Sequence, residues 1–204
     1  MQKGNSMGKE LDRIELIRLM EKELKYARFV HTMAVAFTAT GLAACYGTDI
    51  RKAEIAGILH DCAKYYSADK MENLCKKEGI RISDIEKGNT ALLHSKAGSV
   101  LARTKYGVSD PEILDAIRFH TTGRPGMTLL EKIIFISDYI EPGRNSAPRL
   151  DEIRKMAFAD IDEALRMILS DTLRYLNGSG KEVDPMTQKT YDYYLREESA
   201  SDLS

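Results

Sequence analysis

A chain of 204 residues, 43% hydrophobic and 30% charged with a net charge of -1, has the length and balance of one soluble domain able to bury a core. It has no basic excess or Lys/Arg block to attract nucleic acid or an anionic membrane, and no apolar run nears the roughly 20 residues of a spanning helix. With a polar N-terminus as well, the expectation is a cytoplasmic protein that binds neither nucleic acid nor membrane.

Residues 1–10, with Gly4, Asn5, Ser6 and Gly8, read as a flexible leader in which Met7 is a second candidate initiator. Leu11, Ile14, Ile17 and Leu24 mark a first amphipathic helix, and a long second one, about Tyr26 to Tyr46, places Phe29, Met33, Phe37 and Leu42 inward before Gly47 stops it. A third runs from Lys52 through Asp61. Ser67 to Lys77 is a short polar helix ended by Gly79, and Ala91 to Tyr106 is a fifth, ended by Gly107. Asp110-Pro111-Glu112 opens a sixth, which closes at His120-Thr-Thr-Gly123.

Leu129 to Ile140 is apolar on nearly every side and is the expected central buried helix, with Asp138 in its last turn. Asp151 to Phe158, Asp160 to Leu176 and a last helix opened by Asp184-Pro185 follow, and 199–204 reads as a frayed tail. No convincing alternating strand occurs, so the fold class expected is all-α, one helical bundle over 11–198. Cys45, Cys62 and Cys75 are odd in number and lack CxxC spacing, which predicts reduced thiols in or near the core.

The four histidines, His31, His60, His94 and His120, each fall in a separate predicted helix or at its end. One imidazole on a helix is ordinarily a packed or hydrogen-bonded residue; four together with Asp61 and Asp138 suggest a shared task. A carboxylate at Asp138 in an apolar helix requires a partner. That partner is either an arginine (Arg28, Arg118 or Arg144) or a cation. Imidazoles with carboxylates suit Fe, Mn, Zn or Ni better than Ca or Mg.

The order His31, His60-Asp61, His94, His120, Asp138 resembles the HD-domain superfamily of metal-dependent phosphohydrolases over about 26–144. The wording Leu59-His-Asp-Cys-Ala-Lys64, Phe119-His-Thr-Thr-Gly123 and Ile140-Glu-Pro-Gly-Arg144 is similar to the YqeK family of bacterial hydrolases that split diadenosine tetraphosphate symmetrically into two ADP. The resemblance implies a single-domain HD-type bundle, with a metal-site core at 26–144 and C-terminal helices at 149–198.

It also implies one or two iron ions, with Mn, Ni or Zn as substitutes. His31, His60, Asp61 and Asp138 hold the first metal, while His94 and His120 complete a second position or hold the substrate phosphate. Asp61, Lys64, His94 and His120 form the implied catalytic set, acting with metal-activated water on an inner phosphorus. His31, Lys64, Ser67, His94, His120, Thr121, Arg144, Lys181, Val183 and Met186 form the implied nucleotide contacts, the last three on a segment that closes over the nucleotide in that family. Asp184 departs from the family's usual histidine there, which leaves the base contacts open.

Rival readings are another HD-type phosphohydrolase acting on guanosine tetraphosphate, a cyclic nucleotide or a nucleoside monophosphate, a di-iron oxygenase, and a nucleotide sensor without turnover. Homodimerisation through the apolar C-terminal helices is left open.

Overall fold

The computed structural model describes residues 12–180 and 182–201, with side chains as far as Arg196. The leader 1–10 lies outside the described residues. Among the described residues ten α-helices follow in chain order: α1 (Arg13–Glu23), α2 (Tyr26–Cys45), α3 (Ile50–Leu59), α4 (Ala68–Lys77), α5 (Thr90–Thr104), α6 (Pro111–Phe119), α7 (Leu129–Ile140), α8 (Leu150–Ala157), α9 (Ile161–Gly178) and α10 (Pro185–Ser201). No strand occurs among the described residues.

Most starts are set by a short polar side chain that takes up the free N–H groups of the first turn. Asp12, Asp49, Ser67, Asn89, Asp110 and Asp160 do this, and Thr128 with Glu131 forms a reciprocal capping box on α7. Arg149 precedes α8 in a left-handed conformation, φ 48°, which for a non-glycine residue needs support. Its guanidinium supplies that by gripping buried Asp171 at 2.8 and 3.2 Å.

The expected α7 is central: it packs against α2, α3, α6, α8 and α9, so the C-terminal helices rest on the same core as the N-terminal ones. On α1 and α2, Leu24 and Leu42 are buried and Ile17, Phe29 and Met33 pack against the core as expected, Leu11 lies outside the described residues, and Ile14 and Phe37 differ from expectation. Leu16 and Met20 are buried while Ile14 is exposed, and on α2 Phe37 is 60% exposed. The buried stripe of α2 is instead Thr32, Val35, Ala36, Ala39, Leu42 and Ala43, which are mostly small. A helix that approaches its neighbours closely turns its small residues inward, which leaves Phe37 on the outside.

Cys62 and Cys75 are buried as expected, but Cys45 is exposed. The end of α2 reaches the junction of α8 and α9, where Tyr46 Oη donates to the Ala157 carbonyl at 2.9 Å. The last helix continues to Ser201, into the segment 199–204 expected to fray. No helix among the described residues is long and apolar enough to cross a membrane.

Candidate metal centre

Gly57 allows a close approach of two helices in the core. A Cβ at Gly57 would lie 2.7 Å from Ala36 Cα, so only glycine permits α3 to press this closely on α2. Helix α3 then ends at Leu59, two residues before the expected Asp61. The chain tightens into three-residue turns, with Cys62 N–H donating to the Leu59 carbonyl at 3.1 Å and Lys64 N–H to the Asp61 carbonyl at 2.9 Å. His60 and Asp61 leave the helix pointing into the core, His60 fully buried and Asp61 1% exposed.

Each of the four imidazoles is oriented by its Nδ1. His60 Nδ1 is 2.7 Å from the Gly57 carbonyl, His94 Nδ1 3.1 Å from Thr90 O, and His120 Nδ1 2.7 Å from Ile117 O. His31 Nδ1 lies 3.3 Å from Glu141 Oε1. An Nδ1–H committed to an oxygen leaves the Nε2 lone pair free, and all four Nε2 atoms lie within 4 Å of an Asp61 or Asp138 carboxylate oxygen.

His31 Nε2 is 3.1 Å from Asp138 Oδ1, His94 Nε2 is 3.2 Å from Asp61 Oδ1, and the Nε2 atoms of His94 and His120 face each other at 3.0 Å. Two potential ligand triads result, His31-His60-Asp61 and Asp61-His94-His120, with Asp61 common to both. The residues fit a cation. Ligands about 2.1 Å from a transition ion stand about 3 Å apart at right angles. His31 Nε2, His60 Nε2 and Asp61 Oδ1 are moreover buried without an aligned hydrogen-bond partner, which leaves them free to accept a metal.

The electrostatics agree. Burial by itself raises the Asp61 pKa, but His60, His94 and Lys64 hold it well below the usual carboxylate range. Asp138 is likewise held low against burial by His31, with His60 and His120 nearby. Burial pushes His60 down and His120 down to about 3, the latter helped by the neighbouring His94 and His60. Those two rings are therefore neutral at ordinary pH, the form in which an imidazole can take a metal. His31 is depressed by burial, but Asp138 and Glu141 more than offset this and its pKa is raised.

Three cations rim the cluster. Arg28 donates to Asp61 Oδ2 at 2.8 Å; Lys64 Nζ lies 3.1 Å from His94 Nε2 and 3.5 Å from Asp61 Oδ1. Arg144 donates to the Asp138 carbonyl at 2.8 and 3.2 Å and lies 3.4 Å from its carboxylate. An arginine partner and a ligand cluster thus coexist; Arg118 belongs to a different cavity. Arg28, His31, Tyr65, Glu141 and Arg144 line an open cleft of about 340 Å³.

Two residues of this arrangement were not anticipated in these roles. Arg28 pairs with Asp61 rather than Asp138, and its position one turn before His31 is the sequence signal for it. Glu141 orients His31 and is itself fixed by the Gly143 N–H at 2.5 Å; its place three residues after Asp138 is the corresponding signal.

The remaining expected contacts are less concentrated. Thr121 Oγ1 is buried without a partner beside His120. The next residues are held by α10: Thr190 Oγ1 donates to the Thr122 carbonyl at 3.2 Å, and Met127 N–H donates to Tyr194 Oη at 2.9 Å. Ser67 is exposed and caps α4. Val183 and Met186 are half-buried at the start of α10, where Asp184 accepts from Met186 N–H at 2.7 Å. Among the described residues no hydrogen bond joins Ser67, Val183 or Met186 to the cluster, and Lys181 lies outside them.

The HD domain pattern matches residues 28–143, which contain all six candidate ligands. The chain is 40% identical over 185 residues to the Bacillus subtilis protein named bis(5'-nucleosyl)-tetraphosphatase, symmetrical, covering 91% of this chain and 98% of the relative. A protein of the same name from Halalkalibacterium halodurans is 39% identical, covering 92% of this chain and all of the relative. Among solved structures, an HD superfamily hydrolase from Clostridium acetobutylicum, described as involved in NAD metabolism, superposes with a TM-score of 0.88 at 39% identity. That match covers 91% of this chain and 98% of the other.

Proposed function

The chain belongs to the HD-domain family, and from that premise we propose a metal-dependent hydrolase that splits diadenosine tetraphosphate symmetrically into two ADP. The observation that carries this is the pair of triads sharing Asp61, with Lys64, Arg28 and Arg144 around them. His31, His60, Asp61 and Asp138 would hold the first ion. A mixed imidazole and carboxylate set suits a transition ion, and the family resemblance implies iron, with Mn, Ni or Zn as substitutes. A transition ion there supplies a water acidified toward neutral pH and an electrophilic charge for a phosphoryl oxygen.

The chain's own groups do the rest. Asp61 Oδ1, buried and without an aligned hydrogen bond, accepts one from the attacking water and orients it. Water oxygen bonds to an inner phosphorus, the central bridging P–O bond breaks, and the departing ADP takes up the proton. Lys64, His94, His120 and Arg144 offset the charge that accumulates on the nonbridging and leaving oxygens. Thr121 and the Val183–Met186 segment are assigned to the nucleotide.

The second triad supports two readings. Asp61 bridging both supports a second ion at His94 and His120; Lys64 beside His94 Nε2 supports a phosphate position instead. Metal content of anaerobically purified protein separates them, as two ions per chain or one. The activity is tested by product analysis: the metal-loaded protein is expected to give only ADP from diadenosine tetraphosphate. ATP plus AMP, or no product with iron supplied, would sink the symmetric assignment.

A further inference from the structure

A second cavity, of about 510 Å³, opens between the end of α4, α5 and α6. At about 100° per residue, Arg103 stands nine residues and half a turn of direction from His94 on α5. Pro111 stands in the same relation to His120 on α6. The cavity therefore lies behind the two helices that carry the phosphate-side histidines.

Its chemistry is that of a phosphate-bearing ligand site. Three guanidiniums, Arg81, Arg103 and Arg118, share the wall with two acids, of which one is paired within the wall and the other with an arginine outside it. Glu78 pairs with Arg103, and Asp115 lies 3.6 Å from Arg124. Among the described residues no carboxylate lies within ion-pair distance of Arg81 or Arg118. The Nε of Arg118 is buried with no hydrogen-bond partner, while its guanidinium lies 5.4 Å from the Phe119 ring. Ring contact uses the face of a guanidinium and leaves its edge donors unused. Ile80, Val100 and Leu114 add an apolar wall, and the size falls within the range that holds small ligands.

We propose that this cavity is a second ligand site, separate from the metal cluster, that takes a nucleoside diphosphate. Its phosphates lie on Arg81, Arg118 and the outer edge of Arg103, and its base lies on the Ile80, Val100 and Leu114 wall. The choice of a diphosphate rests on the proposed reaction, whose product it is; the guanidinium geometry stands without it.

Equilibrium dialysis of the metal-loaded protein against labelled ADP, with hydrolysis measured separately, tests this. The expected result is an ADP site whose Kd rises about tenfold or more in Arg81→Glu and in Arg118→Gln, and is kept in Arg81→Lys. Turnover of diadenosine tetraphosphate at low product should stay within about twofold in Arg81→Glu, as surface substitutions ordinarily allow. Arg81 is exposed, so its variants fold even if Arg118→Gln does not. Failure to find any ADP site sensitive to the Arg81→Glu change overturns the proposal. A sensitive ADP site in a protein that does not hydrolyse the tetraphosphate upholds it and rejects the reaction instead.

Discussion

Glu141 Oε1 lies 3.3 Å from His31 Nδ1 although 110 residues separate the two, and this contact turns the His31 Nε2 toward Asp138. Glu141 is 5% exposed and is fixed by the Gly143 backbone, which suits it to be a rigid support for the candidate ligand His31. Supports of this kind commonly change metal affinity by about 10- to 100-fold when removed. Glu141→Ala should lower metal affinity by that order while the helical circular dichroism is unchanged, and Glu141→Gln, which keeps an acceptor oxygen, should lose less. Chelator competition reads both; equal affinity in all three proteins would contradict the role.

Asp61 is shared by both triads, so its loss should be the most damaging single change at the site. Asp61→Ala should reduce turnover by about a thousandfold or more, since both metal charge and water orientation act in the transition state. The fold should survive. Its partners Arg28 and Lys64 are 31% and 29% exposed in their side chains and can turn to solvent. Retained hydrolysis in a folded Asp61→Ala protein would place the chemistry elsewhere.

Removal of the ion should lower stability as well as activity. A ligand that binds only the folded state at about 100 times its Kd contributes about 2.7 kcal/mol. For a domain of this size that corresponds to a Tm lower by several degrees after chelation, at about 2–4 °C per kcal/mol. Restoring ferrous or manganous ion should recover both readings. A Tm indifferent to chelator would argue against a site preformed in the fold.

Gly57→Ala tests the approach of α3 to α2. The added methyl has no space beside Ala36 Cα, so overpacking should cost about 1–3 kcal/mol. Because the Gly57 carbonyl also orients His60, metal affinity should fall with stability. Denaturant melts with and without metal separate the two effects, and an unchanged midpoint would show that the helices move apart freely.

Glu86 predicts a pH dependence away from the site. It is 4% exposed and accepts from Lys96 at 2.7 Å and from the Ser83 N–H and hydroxyl at 2.7 and 2.9 Å. Burial raises its pKa, but those donors more than offset this, and the net value is lowered. The folded pKa lies below the unfolded one, so this stabilisation is present above the ordinary glutamate range and is lost as pH falls through the folded value. Glu86→Gln should destabilise the protein by about 1 kcal/mol at pH 7, with the difference from wild type shrinking below about pH 4. Urea midpoints that differ equally at both pH values would exclude this assignment.

The ten helices and most of their starts were legible locally, because capping and propensity are settled within one turn of the chain. So were the six candidate ligands, through residue type and order. The supports of three histidines are local too: the Nδ1 acceptors of His60, His94 and His120 lie three or four residues back in their own helices. A histidine at a helix end carries that support wherever the helix packs.

The tertiary structure decided the rest. Glu141 behind His31, Arg28 on Asp61 and the buried face of α2 all depend on which surfaces meet, and helical periodicity does not specify the partner. The long apolar side chain of Phe37 faces outward because close contact between α2 and α3 at Ala36 and Gly57 admits only small groups. The sequence by itself determined the helices and the ligand types. Packing brought the candidate ligands to one point and placed beside them the charges that keep Asp61 ionised while burial keeps His60 and His120 neutral.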